Sequence, residues 1–212
     1  MMAKSSFFSL MATLATAAAL SFSCSTTRVL EEGQYRLASN KVEVIGDSKF
    51  NTKKVESYIK QKPNSYIIFG WNPFLNLYNW SGRNPDKAIN RFIRSIGTAP
   101  VVYQPSQVEA SIENINRHLE YLGYYGSDVR SDIEVKGRKV NVTYSITLGK
   151  RFRIGEITYS VPDGEFKEDF LADTSATTVR SGDYLSEDAL EKETERCASA
   201  MRRKGYFGFT KN

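Results

Sequence analysis

The most regular hydrophobic pattern of the chain lies between residues 105 and 148. Apolar side chains first recur at intervals of three and four, as on one face of an α-helix: Val108, Ile112, Ile115, Leu119 and Leu122. Pro105 suits the first turn of a helix, and Gly123 suits the position just past its last turn. The pattern therefore predicts a helix over residues 105–122.

Beyond Gly123 the hydrophobic period changes from 3.6 to 2, the period of a β-strand. The first predicted strand, residues 124–135, would bury Tyr125, Val129, Ile133 and Val135. Its other face carries Asp128, Arg130, Asp132 and Glu134. After a turn at 136–138, the second strand would bury Val140, Val142, Tyr144, Ile146 and Leu148. We expect a hairpin whose single buried face is covered by the preceding helix.

Weaker patterns predict the remaining elements. Residues 35–46 form a strand candidate, and Asn51 or Thr52 can cap a short helix after it. Residues 151–161 alternate with a change of phase at Gly155, which predicts a bulged strand. A short helix follows near residues 166–171, and a longer one begins after Ser186 and ends at Gly205. The inward positions of the longer helix would be Leu190, Cys197 and Met201.

An insert at residues 63–99 is crowded with aromatic side chains. Gly70 and Pro73 interrupt any long helix, and a second small helix with Ile89, Phe92, Ile93 and Ile96 would end at Gly97. The stretch 66–80 has no Lys or Arg, which argues against nucleic-acid binding. Two interpretations remain open, a private mini-core and a surface that docks on a membrane or a partner. The residues of that surface would be Phe69, Trp71, Phe74, Tyr78 and Trp80.

The N-terminus changes the expected compartment. Lys4 precedes an apolar run at residues 7–22, which is too short for a comfortable transmembrane helix and is typical of a secretory signal. The run ends in Ser23-Cys24, as in a bacterial lipoprotein, although an ordinary signal with a chance cysteine is the alternative. We expect a signal peptide at 1–23, a lipid on Cys24 and a tether at 24–34.

Composition and chemistry argue against an enzyme. The 212 residues have a net charge of +5 and 25% charged residues, as in ordinary globular proteins. His118 is the only histidine and lies off the apolar stripe, so we expect it to be solvated. One histidine with Cys24 and Cys197 far apart cannot build a zinc site, and no phosphate-binding loop is present. We expect no catalysis, no cofactor and no metal.

A repeat divides the chain. Residues 205–208, Gly-Tyr-Phe-Gly, repeat residues 123–126, Gly-Tyr-Tyr-Gly, at an offset of 82, and the helices and strands before them correspond. Each unit is predicted as strand, helix, helix, strand, strand. The domains would be 35–149, which contains the insert 63–99, and 150–212, which is the second unit and is truncated.

In residues 119–125, and again in residues 201–207, the end of a helix is followed by Gly-Tyr-aromatic and a predicted strand. In this feature the chain resembles the POTRA domains of the BamA/TamA outer-membrane assembly family (Omp85 superfamily). Cys24, residues 31–37 and the insert resemble the lipidated TamL-type members. The resemblance implies an α+β fold, a three-stranded mixed sheet with two helices on one face. The family's membrane barrel has no counterpart here, so we expect a fragment or a product truncated in its second unit.

The resemblance also implies a function. The chain would be a non-enzymatic periplasmic module at the outer membrane, held by its lipid, with nascent outer-membrane proteins and a TamB-like protein as partners. The family's strand order, first, third, second, places 124–135 at an edge where client strands could pair: Asp128, Val129, Arg130, Ser131, Asp132, Ile133 and Glu134. An edge that is merely solvated, and a surface lipoprotein that binds an extracellular ligand or partner, are the alternatives.

Overall fold

The computed structural model describes residues 26–47, 49–65 and 72–210. The predicted signal peptide and the predicted sites at Cys24, Phe69 and Trp71 lie outside these ranges. The described elements make an α+β fold: β1 Arg36–Ile45, α1 Lys53–Glu56, α2 Pro73–Trp80, α3 Ala88–Ile96, α4 Pro105–Tyr121, β2 Asp128–Lys136, β3 Lys139–Thr147, α5 Glu165–Asp173 and α6 Glu187–Arg203, with a 3₁₀ turn at Thr174–Ala176.

The three strands form one mixed sheet in the order β1-β3-β2. Side chains on its polar face show this order directly. Ser39 Oγ of β1 donates to Asn141 Oδ1 of β3 at 2.7 Å, and Asn141 Nδ2 donates to Glu134 Oε2 of β2 at 3.5 Å. The order that the resemblance implied is therefore confirmed, with β2 at an edge.

The predicted core pattern is confirmed in α4 and β3. Val108, Ile115 and Leu119 of the helical stripe are buried. The alternate positions of β3 are buried in the predicted phase: Val140, Val142, Tyr144 and Ile146. Leu148, predicted to be buried, lies half-buried beyond the end of the strand.

The predicted buried face of β2 is wrong over most of its length. Val129 is buried, but Ile133 is 43% exposed and Val135 is 53% exposed. The strand also begins at Asp128, and Tyr125 makes only an isolated bridge with Lys150. A central strand such as β3 has neighbours on both sides, whereas an edge strand has them on one side only, so alternation by itself overestimates burial there.

The described residues divide into two compact units. One contains 26–41, 60–65, 72–109 and 131–144, and the other contains 42–47, 49–59, 110–130 and 145–210. The described part of the insert lies in the first unit. Its helix α2 was not predicted, because Pro73 was expected to interrupt a helix. Pro73 instead occupies the first turn, where it is tolerated, and Asn72 Oδ1 accepts from Leu75 N at 2.8 Å as the N-cap.

In the second unit, the strand predicted over residues 151–161 is absent. Only Arg153 pairs, in an isolated antiparallel bridge with Tyr184. The flanking backbone bonds, Ile154 N to Asp183 O at 2.8 Å and Leu185 N to Phe152 O at 2.9 Å, belong to this short contact. A strand needs a partner along its length. No strand forms at residues 206–208, where one was expected to start, and residues 207–208 lie in a turn.

The repeat recognised in the sequence is a repeat of backbone structure. Helices α4 and α6 each span 17 residues and begin 82 positions apart. At both ends the glycine N–H, of Gly123 or Gly205, donates to the carbonyl three residues earlier. The next N–H, of Tyr124 or Tyr206, donates to the carbonyl five residues earlier, all at 2.8–3.1 Å. This is the Schellman motif, which explains the glycine at both positions.

Candidate functional site

Strand β2 presents an uncovered edge. Among the described residues, no backbone group of β2 hydrogen-bonds outside the sheet. The other outer strand differs, because the start of β1 is covered by residues 101–103. Leu37 N donates to Val101 O and Tyr103 N donates to Tyr35 O, each at 2.8 Å. β2 is therefore the edge at which an extended peptide can find backbone donors and acceptors along its length.

One face of this edge carries charges that pair along the strand. Arg130 Nε lies 2.7 Å from Asp128 Oδ2, and Lys136 Nζ lies 2.7 Å from Glu134 Oε1. The hydrogen bond from Lys136 lowers the pKa of Glu134. Exposed pairs of this kind contribute little stability, so their members are free to exchange partners when a peptide arrives.

The opposite face of the edge is apolar. Val129 is buried and Ser131 is half-buried, while Ile133 and Val135 lie uncovered. Side chains of a strand added to β2 would lie about 4.5–5.5 Å from these residues, within packing distance. The edge thus combines backbone groups available for pairing with exposed apolar side chains on one face. An edge that only faces water would have no need of such apolar side chains.

A comparison with protein families identifies the fold. The model of the POTRA family, described as a surface antigen variable number repeat, matches residues 38–149, just over half of the chain. The chain belongs to the POTRA family. The matched range contains β2 and β3 completely, so the exposed edge is part of the POTRA domain itself.

A solved structure is also similar to this POTRA protein. Haemophilus influenzae BamA POTRA3-5 matches it over 84% of this chain and 90% of that chain, at 11% identity and a TM-score of 0.28. The likeness at this score is loose, so the POTRA assignment depends on the family match. A comparison with curated proteins gives no match.

The POTRA fold brings some of the predicted site residues together. All seven edge residues, Asp128 to Glu134, lie in β2. Of the predicted insert surface, Phe74 and Trp80 are exposed, whereas Tyr78 is half-buried with the guanidinium of Arg94 5.4 Å from its ring centre. The described part of the insert therefore supplies two of the expected surface residues and uses the third for packing.

His118 is not the freely solvated residue that we expected. Its ring stacks on Tyr58 with centroids 3.9 Å apart and lies 5.8 Å from the ring of Tyr121. Burial lowers the pKa of His118, against the opposing charge of Asp188. The sequence could not show this stack because Tyr58 lies 60 positions earlier, in the turn after α1. The stack packs aromatic surface against the ring of His118.

Tests for two other kinds of site give plain results. Within the described ranges, no group of His, Cys, Asp and Glu side chains is arranged to hold a metal ion. None of the helices in these ranges has the length and apolarity to span a membrane.

Proposed function

We propose that this POTRA protein is a non-enzymatic periplasmic module of an outer-membrane β-barrel assembly or translocation factor of the Omp85 superfamily. Its clients would be nascent outer-membrane proteins, and a TamB-like periplasmic protein would be a further partner. The observation that carries the proposal is the uncovered edge of β2, within the range that matches the POTRA family.

The edge suits clients of many sequences. Backbone pairing is largely independent of sequence, because every residue except proline offers an N–H and a C=O. Ile133 and Val135 add apolar contacts that favour the alternating strands of a barrel protein over a polar loop. The charges at Arg130 and Asp132 oppose pairing between two copies of this edge, as charges on edge strands generally do.

The pairing step can be tested by site-specific photo-crosslinking. A crosslinker at Asp128, Arg130 or Asp132 should capture clients, whereas one at Asn141 on the central strand should capture few. Ile133→Asp and Val135→Asp should reduce capture while leaving the fold intact, since both side chains are already exposed. Equal capture from Asn141, or assembly activity without capture from any edge position, would rule out edge pairing.

We further propose that the module is a lipoprotein at the outer membrane and faces the periplasm. The support is the apolar run that ends at Ser23-Cys24. Stable anchoring needs more than one acyl chain, and a processed lipoprotein cysteine carries several. Cys24→Ala should leave the protein unprocessed or soluble. Mass spectrometry of the mature N-terminus checks this, and a terminus other than Cys24 would refute it.

The orientation has its own test. Protease added to intact cells should spare a periplasmic module but should digest a lipoprotein on the outer surface. Digestion of the protein by such treatment, with the outer membrane still sealed, would favour the surface lipoprotein instead.

A further inference from the structure

Helix α3 of the insert has an apolar face that nothing in the described structure covers. Ile89 and Phe92 are each 66% exposed, and Ile96 is 48% exposed. These three residues, the α3 face, recur at intervals of three and four and so lie on one side of the helix. No residue of α3 is buried. The sequence predicted this helix correctly, but the apolar positions do not point into a core.

The α3 face is presented by a helix that is held in place from its other side. Arg94 lies about 200° around the helix from Phe92. Its Nε donates to Ser81 Oγ at 3.0 Å and its Nη2 donates to Gly82 O at 2.8 Å. Just beyond α3, Thr98 N donates to Phe74 O at 3.0 Å. The exposed face is therefore fixed in position and is not a product of fraying.

The charge around this face selects the kind of partner. Residues 72–98 contain four cationic side chains, Arg83, Lys87, Arg91 and Arg94, and one acidic side chain, Asp86, for a net charge of +3. Arg83 and Arg94 are hydrogen-bonded within the unit, Arg94 on the opposite side of α3, so Lys87 and Arg91 are the cations that remain to meet a lipid surface. An apolar helix face in a segment of net positive charge is the composition of a helix that lies in the interface of an anionic lipid surface.

The N-terminal segment brings the same region close to the proposed anchor. Val29 N donates to Asn79 Oδ1 at 3.4 Å, and Arg83 Nε donates to Arg28 O at 3.3 Å. Residues 28 and 29 are thus held against α2 and the loop after it. Cys24 precedes Arg28 by four residues, and an extended chain spans at most about 3.6 Å per residue, so a lipid on Cys24 would enter the bilayer within about 14 Å of Arg28.

We propose that the α3 face, Ile89, Phe92 and Ile96, lies on the anionic lipid surface beside the anchored N-terminus. The insert then orients the POTRA module on the membrane, which a flexible tether alone cannot do. The proximity of the α3 face to an anchor depends on the proposed lipid at Cys24, whereas the exposure and charge of the insert are independent of it.

The test uses the full-length chain in vesicles of brominated phosphatidylcholine and phosphatidylglycerol. Trp71→Phe and Trp80→Phe remove the natural tryptophans, and Phe92→Trp adds one reporter. The matched control carries Phe207→Trp, at a position 81% exposed in the other unit. We expect blue-shifted, quenched emission from the F92W reporter and solvent-like emission from the F207W reporter.

A second variant separates docking from general adsorption. Ile89→Ser with Ile96→Ser in the F92W chain should abolish most of the quenching, with an unchanged far-ultraviolet circular dichroism spectrum because both side chains are exposed. Replacing phosphatidylglycerol by phosphatidylcholine should weaken the quenching of the F92W reporter. Equal quenching of the two reporters, or unquenched F92W emission, overturns the proposal.

The two proposals can fail separately. Intact mass reports whether Cys24 carries a lipid. Quenching of F92W without a lipid supports docking and refutes the anchor, whereas a lipid without quenching refutes docking and leaves the anchor. A crosslinker at position 92 that captures a protein, with F92W unquenched, would assign the α3 face to a protein partner and overturn docking on lipid.

Discussion

The two glycines that end α4 and α6 offer a matched test of the packing around the repeat. Both have positive φ, +88° at Gly123 and +102° at Gly205, and both take the same place in a Schellman motif. They differ in their surroundings. A Cβ added at Gly123 would lie 2.1 Å from the carbonyl oxygen of Leu185, whereas one at Gly205 would meet nothing within 4 Å.

The difference gives an expected magnitude. Gly205→Ala adds only the strain of a left-handed alanine, about 1–2 kcal/mol. Gly123→Ala adds the same strain and forces the backbone at Leu185 to shift, and overpacking of this kind costs about 1–3 kcal/mol. The free energy of unfolding should therefore fall by about 2–5 kcal/mol for Gly123→Ala.

Urea denaturation followed by circular dichroism measures both changes, with the slope of each curve compared to show that the same cooperative unit unfolds. A loss for Gly205→Ala as large as that for Gly123→Ala would show that the approach of Leu185 to Gly123 has no energetic consequence. Equal losses would also remove the reason for treating the first glycine as the more constrained.

Two further predictions concern the core and pH. Leu119→Ala should lower the free energy of unfolding by about 2–5 kcal/mol, because the side chain is fully buried. Thr143 is only half-buried, so Thr143→Ala should lower it far less. Equal losses for the two variants would contradict the assignment of the faces. Burial tends to raise the pKa of Glu193, but hydrogen bonds from Arg196 and Thr178 outweigh it and lower the pKa to about 2, from an ordinary 4.5. The stability that this carboxylate contributes is present above pH 4.5 and is lost as the pH falls toward 2. The melting temperature of Glu193→Gln should therefore change less with pH over that range than that of the unchanged protein. Parallel plots of melting temperature against pH for the two proteins would contradict this.

The sequence by itself determined the elements whose causes are local. The stripe and Pro105 predicted α4, Gly123 and Gly205 predicted where α4 and α6 end, and strict alternation predicted the buried positions of β3. The helix ends depend on hydrogen bonds that span at most five residues, as in the Schellman motif. The burial of β3 follows from its alternation because this strand is central and its apolar face is covered. The order of the strands needed the family resemblance in addition.

Only the tertiary structure decided which apolar positions are covered. Ile133 and Phe92 fit their periodic patterns as well as buried residues do, yet no other element in the described part of the chain lies over them. His118 is half-buried because Tyr58, in the turn after α1, packs on it. Residues 151–161 lack a strand because, among the described residues, their pairing with residues 182–185 is confined to positions 152–154. Periodicity specifies which side of an element is apolar, but burial depends on what distant segments bring to that side. The candidate edge and the α3 face are apolar surfaces of this kind, and the sequence could not distinguish them from core.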